Sequence, residues 1–154
     1  MVRKQSSAAL ACGPISTPDP LTCGTIAVAR WVATCEPQHH GESIAWTSQS
    51  EGIDDGVADW AGGAEITISQ PGEYVINVTV PVASDCGLYN WSTLKINGTA
   101  VHSAKSLGGL RTLRNLYTLT KVGTSADVVT VGFTTDGDGG GYTKGAVITI
   151  EKVS

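Results

Sequence analysis

The side chains best suited to covalent or metal chemistry are three histidines, four cysteines and a few closely spaced acids. His39 and His40 lie in "CEPQHHGES", between Cys35 and Ser43. A nucleophile and its base also need a third group that orients the base. A Cys-His or Ser-His-Asp site can be drawn through Cys35 or Ser43, yet no nucleophile-elbow pattern frames either one. The stretch reads as a polar surface loop, and no catalytic residue is assigned. Asp54 and Asp55 sit among glycines, which suits a solvated turn better than an acid–base pair. Asp136 and Asp138 share the Gly-rich run "TTDGDGGGY". Calcium accepts carboxylates and backbone carbonyls at such turns, but no Glu follows at the twelfth position of an EF-hand loop. No Gly-Lys-Ser/Thr follows either, so a phosphate cradle is not expected. The run reads as a plain loop, with calcium left open.

Cys12, Cys23, Cys35 and Cys86 form no Cys-x-x-Cys pair, and no spacing joins them to the histidines as zinc ligands. They read as free, partly buried thiols; a Cys12–Cys23 bridge is the alternative. No metal and no cofactor is therefore expected. Asn77, Asn90 and Asn97 each stand in an Asn-x-Ser/Thr frame, which a chain rich in Ser and Thr produces by chance.

The formal net charge is −4, which argues against nucleic-acid binding through a basic field. From Trp31 to Leu94 there are nine acids and no Lys or Arg; from Lys95 to Ala126 there are five bases and no acid. The two segments make a solvated mix after folding, or they face each other within or between subunits. No apolar run is as long as a membrane span, and no membrane partner is expected. The start, "MVRKQSSAALACG", has an apolar part too short for a secretory core and is expected to be mature protein.

The elements that must carry these residues are strands. Low charge (16%), 19 glycines and abundant Thr and Val suit many short strands in one domain. Residues 1–24 lack periodicity, and "GPISTPDPLTCG" has three prolines, so an extended N-terminal arm is expected there. The domain then runs over 25–154. "TIAVARWVATC" and "ESIAWTS" read as the first two strands. In "AEITISQPGEYVINVTVPV", Tyr74, Ile76, Val78 and Val80 share one face, with Val75, Asn77 and Thr79 on the other. Pro71 removes a ladder donor and Gly72 permits a sharp bend, as a chain crossing between two sheets requires. Asn97-Gly98 predicts a tight hairpin. "LRTLRNLYTLTKV" is ambiguous: Leu110, Leu113, Leu116 and Leu119 recur every three residues, while its Thr and Tyr favour a strand in the second half. Eight to ten strands and no helix are expected, as an antiparallel sandwich or barrel.

The run "ITISQPGEYVINVTV", with Gly72 and Tyr74 after the corner, resembles the trimeric jelly roll of complement globular heads and tumour-necrosis-factor domains. "STLKINGTAVHS", "YTLTKVGTSADVVTVGF" and "GAVITIEKV" match its later strands. The resemblance implies an all-β jelly-roll sandwich assembled as a homotrimer. With an extended arm, the chain is also similar to capsid decoration proteins of tailed bacteriophages. That likeness implies a non-enzymatic protein on the capsid exterior of a virion, whose arm clamps the major capsid protein. Val2, Arg3, Lys4, Ile15 and Leu21 are the expected arm contacts. Two alternatives stand: a receptor-binding tip using the loops Gly52–Gly63 and Asp136–Gly141, and a secreted trimeric ligand.

Overall fold

Strict alternation builds the central strand. Tyr74, Ile76, Val78 and Val80 are fully buried, while Asn77 between them is exposed. The computed structural model describes residues 27–33, 38–39, 41–51, 56–82, 89–107, 112–136, 142–143 and 145–154. Along the chain the strands are β1 (Ala27–Ala33), β2 (Gln38–His39), β3 (Ser48–Glu51), β4 (Ile66–Ile68), β5 (Gly72–Pro81) and β6 (Tyr89–Ile96). They continue as β7 (Thr99–Leu107), β8 (Thr112–Lys121), β9 (Asp127–Thr135), β10 (Tyr142–Thr143) and β11 (Ala146–Lys152). Nine of them have three residues or more, within the expected eight to ten, and no helix occurs among the described residues.

A five-stranded antiparallel sheet, β3-β1-β11-β5-β8, packs on a four-stranded one, β4-β9-β6-β7; β2 and β10 form a separate short pair. The chain passes between the sheets as a jelly roll does. The core is the space between them, filled by Trp31, Tyr74, Ile76, Ile148 and Ile150 from the first sheet. Ile66, Ile68, Leu94, Val131 and Phe133 face them from the second. Each such side chain contributes about 1.5–3 kcal/mol by leaving water.

The Pro71-Gly72 corner is where the chain leaves the four-stranded sheet for the five-stranded one. Gly72 has φ 147°, and a Cβ there would strike the Ser154 carbonyl oxygen and lie 3.0 Å from Lys152 Nζ. The Tyr74 hydroxyl donates to the Gln70 carbonyl at 2.8 Å, pinning the chain across the corner, and burial raises its phenol pKa. The Asn97-Gly98 hairpin has φ 52° and 81°, both positive as a type I′ turn requires. The Asn97 side-chain amide ties this turn to the start of β9: Nδ2 donates to Asp127 Oδ1 and Oδ1 accepts from the Val128 N–H.

Two sequence expectations are corrected. "ESIAWTS" is not a continuous strand. Ser43 and Trp46 make isolated bridges, to Gly132 and Gly63, and the strand proper is Ser48–Glu51. The reason is that this run crosses over. The Ile44 N–H bonds the Val131 carbonyl in one sheet, and three residues later the Thr47 N–H bonds Val32 in the other. Ile44 and Trp46 are buried, so alternation there marks core anchors rather than a ladder. In "LRTLRNLYTLTKV", the whole of Thr112–Lys121 is strand, not only its second half. Pairing along all of β5, from Gly72 opposite Lys121 to Pro81 opposite Thr112, overrides the period-three leucines. The arm, residues 1–24, lies outside the described residues.

Candidate interaction face

Register fixes which side chains share the outer face of the five-stranded sheet. Across it run Val32, Val147, Thr79 and Arg114; then Arg30, Thr149, Asn77 and Leu116; then Val28, Glu151, Val75 and Thr118. Charges stand at Arg30, Glu151 and Arg114, and the positions between are Val, Thr, Asn or Leu. Leu116 is 61% exposed on this face. Its place follows from the leucine spacing: a period of three laid on a strand period of two sends Leu113 and Leu119 inward and Leu116 outward. Val122 and Val153 are also exposed, close to the Gly72 corner.

The outer face of the four-stranded sheet has another chemistry. Trp91 pairs with Lys105 and Thr134, Thr93 with Ser103 and Gly132, and Lys95 with Thr130 on the β9 side. The Thr93 and Ser103 hydroxyls are 3.3 Å apart. The Lys105 ammonium lies 4.4 Å from the Tyr89 ring centroid and 5.4 Å from that of Trp91, so a cation already caps both aromatics. Where the sheets meet at β7 and β8, buried Asn115 joins them: Oδ1 is 2.8 Å from His102 Nδ1, and Nδ2 donates to Ser92 Oγ at 2.5 Å.

Among the described residues no group of three His, Cys, Asp or Glu could hold a metal ion, and most of the residues singled out for chemistry lie outside them. His39 is in β2 and Ser43 is exposed on its bridge to Gly132, while Cys35, His40, Asp54, Asp55 and Asp138 lie outside the described residues. Asp136 Oδ1 accepts the Tyr89 backbone N–H at 2.9 Å, so it caps β6. Val2, Arg3, Lys4, Ile15 and Leu21 also lie outside the described residues. Of the two loops offered as a receptor-binding tip, the described residues Asp59 and Asp136 stand near opposite ends of β9. Asp59 bridges Thr67, which pairs with Val128 at the start of β9, whereas Asp136 follows its end. That strand sets them roughly 27 Å apart. Among the described residues the acid-only and base-only segments share no ion pair; the one salt bridge joins buried Lys121 to Asp127 at 3.7 Å.

No protein-family model and no curated protein matches the chain. Solved structures do. Murine APRIL at pH 5.0 superposes with a TM-score of 0.62 at 10% identity, over 84% of this chain and all of that one. The globular domain of zebrafish complement 1qA gives 0.63 at 14% identity, over 84% and 98%. Eiger TNF from S. frugiperda gives 0.62 at 11%, over 84% and 93%. At such identities the likeness is one of fold, and the fold is the jelly roll of tumour-necrosis-factor and complement-head domains.

Proposed function

We propose that the chain is a non-enzymatic head that forms a homotrimer through the outer face of its five-stranded sheet. We further propose that the trimer is a decoration protein on the outside of a bacteriophage capsid. The observation that carries the first step is that face, rich in Val and Thr, with Leu116 exposed on its edge strand β8. Such a surface is stabilised by being covered. The resemblance to trimeric jelly rolls points to the same stoichiometry.

The second step rests on where the arm joins. Ala27 opens β1 opposite Lys152, so an arm formed by the residues before it would join the sheet at that end, near Val153. Three copies about one axis would then send three arms from the same end. Weak contacts made by Val2, Arg3, Lys4, Ile15 and Leu21 with the major capsid protein would combine by avidity. A second reading, a trimeric ligand or head domain for a receptor, is favoured by the likeness to APRIL, complement 1qA and Eiger TNF. Electron microscopy of the native assembly separates the two. Density for the head at three-fold positions of a shell supports decoration. A head found only free or on a cell-surface receptor supports the second reading.

A further inference from the structure

Beside β4 the chain forms a cleft of about 290 Å³, lined by Asp59, Trp60, Ala61, Gly62, Glu65 and Thr67. It lies on the four-stranded sheet, away from the proposed assembly face. Its walls are held in place. The Trp60 indole Nε1 donates to the Gly63 carbonyl at 3.0 Å, and the Thr67 hydroxyl donates to the Asp59 carbonyl. Asp59 and Thr67 also exchange both backbone hydrogen bonds, at 2.8 and 2.9 Å. Trp60 is half-buried against the core, and with its one N–H engaged only the exposed part of its ring is left for recognition.

Charge selects the ligand. Asp59 and Glu65 are both exposed, and neither forms an ion pair with a described residue. They fall in the segment from Trp31 to Leu94, which holds nine acids and no Lys or Arg. Gly62 and Gly63 have φ 109° and 80°, and a Cβ built on either meets nothing within 4 Å, so this side of the cleft is open to an entering group. The contrast with the other tryptophan of this sheet is direct: Lys105 lies over Trp91, whereas no described cation lies over Trp60.

We infer that this cleft binds a small organic cation with a methylated ammonium head, seated against Trp60 and balanced by the Asp59 and Glu65 carboxylates. An aromatic ring attracts a cation through its quadrupole, and a methylated head is easily desolvated. Two carboxylates add attraction that weakens with salt. A neutral sugar could use the same ring and donate hydroxyls to the carboxylates, but it would gain no net charge attraction.

The test titrates the full-length protein with choline, its neutral isostere 3,3-dimethylbutan-1-ol, and glucose, following the Trp60 indole N–H signal by NMR. Choline should give a saturable shift in the millimolar range, and the isostere should bind about 5-fold or more weakly, as expected from loss of the cation–π and charge terms. The double variant Asp59→Asn, Glu65→Gln changes two exposed side chains and should keep the fold, checked by circular dichroism. It should weaken choline binding by about 5-fold or more, as should raising the salt to about 1 M. If the double variant misfolds, the salt series on the parent protein carries the same test. No saturable choline shift, equal binding of the isostere, or glucose binding more tightly than choline would each overturn the inference.

Discussion

The two outer faces of this sandwich are built from the same backbone geometry and end in opposite chemistry. On the four-stranded sheet, the outward side chains of β6 are already served: Lys105 covers Tyr89 and Trp91, and Thr93 meets Ser103 hydroxyl to hydroxyl. On the five-stranded sheet the outward positions are mostly valines, threonines and Asn77, with Arg30, Arg114 and Glu151 toward its borders and Leu116 standing 61% exposed on β8. Water is an adequate partner for the first face and a poor one for the second. Under the proposed assembly, this difference is what marks one side of the sandwich for association and leaves the other free.

The strongest way to break the comparison is Leu116→Glu. A carboxylate desolvated within the proposed interface should weaken assembly by about 100-fold or more, while the isolated fold keeps its stability. The matched change Thr93→Glu, on the other face, should leave assembly unchanged; sedimentation velocity of both variants checks the pair. Next in size is Gly72→Val, at the corner joining the sheets. Positive φ and the collision with Ser154 should lower stability by about 1–3 kcal/mol, read from urea or thermal melts. An unchanged midpoint would make the corner an ordinary turn. Asn115→Ala strips His102 and Ser92 of their shared partner at the seam between the sheets. It should cost about 1–2 kcal/mol in the same melts. The smallest effect belongs to Lys105→Ala, which uncovers two rings and should cost about 0.5–1 kcal/mol without altering assembly.

The fold was readable where one period ruled. Alternation placed the buried row of β5, Pro71-Gly72 marked the crossing, and Asn97-Gly98 gave the hairpin with both φ values positive. Reading failed where two signals overlapped. Ile44 and Trp46 alternate because each anchors a crossover in the core, and local pattern cannot tell that from pairing. Leu116 was visible only as part of a leucine repeat. That it faces outward depends on β8 pairing with β5, a contact between residues about forty positions apart. The cleft around Trp60 was masked for a similar reason: Asp59, Glu65 and Thr67 converge through one isolated bridge that no motif announces. Asp136 reads as part of a plain loop; that it caps β6 was hidden because the backbone N–H it accepts from lies 47 residues earlier.

Sedimentation equilibrium of the purified chain at micromolar concentration and near-neutral pH, beside Leu116→Glu, tests the central claim most directly. The parent should fit a single species at three times the 15.9 kDa chain mass, and the variant should fit a folded monomer. A monomeric parent, or a Leu116→Glu variant that remains fully trimeric, would contradict assembly through this face.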